Sequence, residues 1–408
     1  MRSSPLSRLL KRLILLGLGT LVGLIAAEIA LRMAGPSNLP QGVFFIGDPY
    51  TGWTNRPGTS GVWIWEGNAP VTINSQGLRD REHAVPKPPG TLRIAVLGDS
   101  FAAAFQVSQS DDFCSVLERT LRSCQSLGGR TPEVINFGVN AYGTGQELIA
   151  LEHRVWRYRP DIVVLAYYVN DVYDDSEALQ EIYPDYVGGP RPYFRLSSDG
   201  LVEDDSRLRS PSFQAALKES GDPNAVFGEG FHRILWKSRL WRLISRFRSI
   251  QTSNRAEVYE LLKSPSDQTW ENAWKVTEAL LSRFNQEVQA GGARFVLLVV
   301  SNSLQVYPGA EERNRLLQKA GVSDVFYLNR RLEALGKREG FPVVSLAEPM
   351  QQYADAHHVF FHGFPRTGMG TGHWNAQGHL MAGQSIASAI CAMLSGTRPP
   401  VAAGVDAR

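Results

Sequence analysis

The chain has 408 residues, enough for one large hydrophobic core or two modest ones. Hydrophobic residues make up 43% and charged residues 20%, the balance of an ordinary globular protein. A formal net charge of +2, with no nucleic-acid motif in view, gives no electrostatic ground for binding DNA or RNA.

The N-terminus carries the first signal. Arg2, Arg8, Lys11 and Arg12 precede an uncharged run from Leu13 to Ala27, and apolar character resumes after Glu28 through Met33. The segment 13–33 is long enough to cross a bilayer as a helix. The basic flank predicts a cytoplasmic N-terminus (residues 1–12), with everything after the span outside. A cleaved signal peptide is the competing reading. Cutting after Ala27 leaves Ile25 at the third position before the cut, and cutting after Ala30 leaves Glu28; both fit a signal peptidase poorly. The segment is therefore read as an uncleaved signal anchor of a single-pass membrane protein.

Residues 34–90 are rich in Gly, Pro, Asn and Trp without sustained periodicity. They read as a spacer plus a β-containing extension around Val62–Trp65 and Val71–Asn74. From Arg93 the pattern changes to short β-branched runs alternating with helices. The expected strands are Ile94–Leu97, Val134–Phe137, Ile162–Tyr168, Phe295–Val300 and Val343–Leu346. Helices are expected near Asp112–Ser123, Gly145–Tyr158, Asp324–Glu339 and Ala376–Leu394. Such alternation predicts a mostly parallel five-stranded sheet with helices on both faces, a three-layer α/β/α sandwich over residues 91–395. Runs such as DIVVLAYYV and FVLLVV suit strands buried on both sides.

The rhythm stops between Asp174 and Asp267, an insertion of about 175–267. It holds a hairpin around Asp199-Gly200 and a basic amphipathic stretch in which Trp236, Leu240, Leu243 and Phe247 share one helical face. That stretch reads as a helix packed on the domain with a solvated basic side, as one lying on an anionic membrane surface, or as a lid over the site. Residues 396–408 read as a disordered tail. Three cysteines make neither a disulfide framework nor a zinc site; they read by default as small buried hydrophobes, with one bridge, Cys114 to Cys391, as the alternative.

Chemistry concentrates at strand ends. The first strand runs into Gly98-Asp99-Ser100, the second into NFGVNAYGTGQ (136–146), the third into Asn170-Asp171. The last helix is entered through TGHWNAQGH (371–379). In an open parallel sheet these carboxyl ends share one edge, so Ser100, the Asn140–Gly145 loop, Asn170 and His373 can converge. A serine hydroxyl needs a neighbouring base to attack at neutral pH. Asp99 reads as a helix-start organiser, Asn375 as an N-cap and Trp374 as a packing residue. NDVYDD lacks a defensible metal-ligand spacing.

On these residues the chain resembles the SGNH hydrolases, the GDSL-type esterase superfamily, in a membrane-anchored branch. GDSF (98–101) matches the first motif and Ser100 its nucleophile. Ala141, in GVNAYG, falls where the family contributes a backbone N–H, usually from glycine. Asn170 matches the oxyanion asparagine and His373, in HWN, the catalytic histidine. The resemblance implies a flavodoxin-like SGNH fold and an acyl-serine mechanism with an oxyanion hole of Ser100, Ala141 and Asn170. It implies no metal or organic cofactor. The substrate class is an ester-bearing small molecule or glycan outside the cytoplasmic membrane, on the periplasmic or extracytoplasmic side. One departure stands out. The family places an aspartate three residues before the histidine, and here that position is Gly370. The orienting acid must come from elsewhere, with Asp355 a candidate and a backbone carbonyl the alternative. An O-acetyltransferase acting on a polysaccharide and a non-catalytic envelope binding protein are the other readings.

Overall fold

The structure is a computed structural model; it describes residues 5–34, 44–182, 190–198, 200–218 and 260–396. Five strands form the central sheet: β1 (Thr91–Gly98), β2 (Thr131–Asn136), β3 (Ile162–Tyr167), β4 (Arg294–Val299) and β5 (Val343–Ser345). All pair in parallel, in the order β5-β4-β3-β1-β2. Read from the other edge this is 2-1-3-4-5, a doubly wound order in which ligands bind where the winding reverses, between β1 and β3. This is the three-layer, flavodoxin-like α/β/α arrangement that the resemblance implies. All five strands fall where the β-branched runs predict them.

The sheet is buried on both faces because alternate residues feed two cores. Ala95, Leu97, Val163, Leu165, Leu297 and Val299 pack against helices Thr144–Ala150, Gln268–Ala290 and Tyr327–Glu339. Ile94, Val96, Val164, Ala166, Val296 and Leu298 pack against helices Phe113–Leu121, Ala347–His357 and Ala376–Ser395. Each fully buried aliphatic side chain contributes about 1.5–3 kcal/mol, which fixes the backbone that carries the site. The helix expected over Gly145–Tyr158 is interrupted. Its regular part ends at Ala150, and a π-type turn over Leu151–Val155 and a 3₁₀ turn over Trp156–Tyr158 follow.

The extension before β1 packs onto the domain as two antiparallel hairpins, Phe45–Asp48 with Gly52–Asn55 and Ser60–Trp63 with Ala69–Thr72. Phe44, Val71 and Ile73 share a small core with Ala103 and Phe105, just past Ser100. Helix Pro5–Ala34 contains a span, Lys11–Leu31, long and apolar enough to cross a membrane, with a mean hydropathy of 2.2. In the insertion, Tyr193–Ser197 pairs with Gly200–Asp204, and Asp199 of the expected turn lies outside the described residues. The basic stretch around Trp236 and most of the tail lie outside the described residues.

The cysteines pair differently from the expectation. Cys124 and Cys391 form the disulfide, and Cys114 is free and buried. Cys114 sits at the second position of helix Phe113–Leu121, turned into the core, whereas Cys124 lies past that helix's end, beside the C-terminal helix.

Candidate active site

β1 ends at Gly98 and the chain turns at once into a short helix, Ser100–Ala103. Asp99 caps it, its Oδ1 accepting from Phe101 N at 2.9 Å, as the sequence suggests for a helix-start organiser. Burial raises the Asp99 carboxyl to about 6, although Phe101 N–H, His373 and Asn170 all favour its charged form. Ser100 therefore opens a helix at the rim of the sheet, with its hydroxyl half-buried.

His373 arrives from the other end of the chain, on strand Gly368–Trp374 before the C-terminal helix. Its Nε2 lies 2.7 Å from Ser100 Oγ. Phe101 packs on the imidazole with ring centroids 5.0 Å apart, and Trp374 is buried behind. The His373 side chain stays 29% exposed, so a substrate can reach it.

The third member is Glu66. It stands in the loop of the second hairpin, and its two oxygens hold His373 twice: Oε2 lies 2.5 Å from Nδ1 and Oε1 accepts from the His373 backbone N at 2.7 Å. Burial alone would raise the Glu66 carboxyl, but the charge and hydrogen bonds of His373 outweigh it and hold it below the usual range. For His373 burial acts downward, and the Glu66 charge and hydrogen bond, with Asp99, raise it above the ordinary histidine value. Two glycines make the approach possible. A Cβ on Gly372 (φ +73°) would meet Glu66 Oε1 at 2.1 Å, and one on Gly67 (φ +80°) would meet Gln106 O at 2.1 Å.

Asp355 is not part of this group. It pairs with Arg313 through bonds of 2.7 and 2.8 Å and accepts from Gly309 N. A backbone carbonyl on Nδ1 is excluded too, since Glu66 occupies that position. Sequence reasoning missed Glu66 because nothing periodic marks it and 307 positions separate it from His373. A signal did exist: Glu66 is the single acidic residue between Asp48 and Asp80.

The remaining expected residues follow β2 and β3, the two strands that flank β1. Ala141 has φ 63°, the left-handed region that favours glycine. The glycine-like backbone is therefore kept with an alanine, at about 1–2 kcal/mol of strain. The extension grips this loop: Trp53 Nε1 donates to Asn140 O at 3.0 Å, Asn55 Nδ2 to Gly138 O at 3.0 Å, and Tyr142 OH to Thr51 Oγ1 at 2.7 Å. Asn170, just past β3, donates from Nδ2 to Asp174 Oδ2 at 2.9 Å and also hydrogen-bonds Asp99.

Behind Asn170 lie Glu147, Asp171, Asp174 and Asp175, all buried. Burial raises every one of them, Asp174 to about 7 and Asp175 to about 8. Arg191, paired to Asp174 at 2.8 Å, and the Gly145 N–H on Asp175 oppose that rise. Among the described residues, no group of three or more His, Cys, Asp or Glu side chains is placed to hold a metal ion.

No protein-family model and no curated protein matches the chain. Solved structures are similar at a distance. An alpha/beta hydrolase enzyme from the metagenome of Lake Arreo, Spain, is 14% identical, with 74% of this chain and 95% of that one covered and a TM-score of 0.35. An acetyl xylan esterase is 12% identical, covering 73% and 99%, with a TM-score of 0.36. A catalytic mutant of an acetylxylan esterase from Geobacillus stearothermophilus is 10% identical, covering 78% and 97%, with a TM-score of 0.37. Likeness of this size says nothing about substrate.

Proposed function

We propose that the chain is an SGNH-type serine esterase, displayed outside the cytoplasmic membrane by its N-terminal helix. The hydrogen-bonded series Ser100–His373–Glu66 carries this reading. Ser100 Oγ attacks the ester carbonyl while His373 Nε2 takes its proton. Glu66 holds the imidazole in the tautomer with Nδ1 protonated and stabilises the imidazolium that forms. The tetrahedral intermediate collapses, the alkoxide leaves with the proton from His373, and an acyl-serine remains. Water, deprotonated by the same Nε2, then releases the acid and restores Ser100.

In this reading the backbone N–H groups of Ser100 and Ala141 are the donors to the developing oxyanion. Asn170 adds a third donor by turning one N–H from Asp99 to the oxyanion. Each such donor is worth about 10²-fold or more in rate. No step calls for a metal or organic cofactor. The ester is carried by a small molecule or an acetylated glycan. The Cys124–Cys391 disulfide supports an oxidising compartment, in keeping with export past the anchor.

A complete Ser–His–Glu series favours catalysis over a binding protein that has kept only the fold. The test is labelling with a fluorophosphonate probe together with turnover of an acetyl ester. Wild type should label and turn over, and Ser100→Ala should do neither. A folded wild type that neither labels nor hydrolyses would refute the reading. Acetyl transfer to an added oligosaccharide in preference to water would reassign the same chemistry to a transferase.

A further inference from the structure

The peptide bond between Gly372 and His373 is held at both ends. Its N–H donates to Glu66 Oε1 at 2.7 Å, and its carbonyl, Gly372 O, lies 2.7 Å from His362 Nδ1. A carbonyl only accepts, so His362 Nδ1 carries a proton and donates it. The rest of the network then has one arrangement. The Trp374 indole N–H can only donate, and its acceptor is Ser301 Oγ at 3.0 Å. The Ser301 hydroxyl proton is left for His362 Nε2 at 3.2 Å, with Met350 Sδ the weaker acceptor at the same distance. Neutral His362 with its proton on Nδ1 satisfies both Gly372 O and Ser301 Oγ. Burial holds its pKa down at about 4, so this form persists at neutral pH.

We propose that His362, itself set by Ser301, is a positioning residue for His373: it fixes and polarises the Gly372–His373 peptide so that the peptide N–H keeps Glu66 in register with His373 Nδ1. A hydrogen bond to the carbonyl makes the amide N–H a better donor, so the series His362, peptide, Glu66 is mutually strengthening. Glu66 has one oxygen on that N–H and the other on the imidazole. Any rotation of the peptide displaces the carboxylate from Nδ1. Ser301 ties down the neighbour on the far side as well, through Trp374, so the residues before and after His373 share one buried anchor. The inference rests on the reading of His373 as the base.

The competing role for His362 is packing, since its ring lies 5.9 Å from Phe101 and 6.3 Å from Trp374. His362→Phe keeps a buried ring and removes both nitrogens; His362→Asn keeps a donor near the Nδ1 position. The ionisable groups that interact with His373 are Glu66, Asp99, His362 and His379. Two readouts are needed: steady-state kinetics, and the His373 pKa by NMR in a Ser100→Ala background, which requires no activity. His362→Phe should lower kcat about 10–100-fold, as a small misplacement of a catalytic group does, with KM unchanged. It should also move the His373 pKa downward, because the Glu66 contact loosens. His362→Asn should recover most of both, and Ser301→Ala should shift both in the same direction.

A folded His362→Phe with wild-type kcat and His373 pKa would overturn the proposal. So would equal losses in the Phe and Asn variants at an unchanged His373 pKa. If His362→Phe does not fold, a wild-type His373 pKa in Ser301→Ala overturns it. A wild type without turnover whose His373 pKa still falls in His362→Phe would sink the esterase reading and leave the positioning role standing.

Discussion

Glu66 and His373 lie 307 positions apart and are joined by two hydrogen bonds, one to the imidazole and one to the backbone of the same residue. The double hold fixes ring orientation and tautomer together, which is the task of the acid in a serine triad. It also settles what Glu66→Gln would do. With its carbonyl oxygen kept on the His373 backbone N–H, the new amide nitrogen faces Nδ1 and donates to it. The imidazole proton is forced onto Nε2, where it cannot accept the proton of Ser100. Ester turnover should fall by about 10⁴-fold in a protein of near-native thermal stability. Turnover within tenfold of wild type would remove Glu66 from the mechanism.

The site was half legible in the sequence, for a physical reason. β1 to β5 are buried on both faces, so their apolar runs stand out. Ser100, Asn170 and His373 follow from strand ends and a helix start on one edge. Glu66 sits in the loop of a four-residue-strand hairpin, and its partner is set by tertiary packing alone. Gly370, in the place where an acid was expected, is the hint that one comes from outside the last motif. The segment that reads as a spacer plus a β-containing extension carries the carboxylate that hydrogen-bonds His373, and it grips the 136–146 loop. The Cys124–Cys391 pairing was hidden similarly, because spacing does not tell which cysteine of a helical region faces out of its core.

The pH dependence follows from opposed shifts in this pair. In the proposed mechanism turnover needs neutral His373. Burial pulls its pKa down, but Glu66 and Asp99 raise it further, and the net direction is up. The acid limb of kcat/KM should therefore lie above the ordinary histidine value of about 6.5 and move to lower pH in Glu66→Ala. For stability the signs run the other way. A raised histidine stabilises in full at low pH and loses that contribution as pH rises through its folded-state pKa. The depressed Glu66 contributes above the ordinary carboxylate value of about 4.3 and is lost as pH falls. The pair should stabilise the fold most between these limits, and thermal melts of wild type and Glu66→Ala across pH would read the difference. An acid limb below 6 in wild type would contradict the assignment.

Ala141 offers a test by relief of strain. At φ 63° an alanine costs about 1–2 kcal/mol that glycine does not, offset in part by the greater entropy of glycine in the unfolded chain. Ala141→Gly should fold at least as stably as wild type and keep its turnover, since the backbone N–H is retained. Ala141→Val puts a β-branched residue where it fits worst, and should cost about 2 kcal/mol or more and reduce turnover by distorting the oxyanion loop. Equal melting temperatures and equal activity in both variants would show that this backbone conformation is not what positions the N–H.

The Cys124–Cys391 disulfide joins the segment after helix Phe113–Leu121 to the C-terminal helix, with a sequence separation of 267. These are the helices that follow Ser100 and His373, and they pack on each other through Val116, against which Gly383 is closely fitted. Closing so long a loop restricts the unfolded chain strongly, and losing such a bridge costs about 2–5 kcal/mol. Cys124→Ser should therefore lower the melting temperature by several degrees. Activity at moderate temperature should persist, because packing between the two helices, and not the covalent link, sets the Ser100–His373 distance. Cys114 cannot substitute, being buried in the same core with its thiol pKa raised by burial. Loss of activity in Cys124→Ser well below its melting point would mean that the bridge holds the catalytic geometry directly.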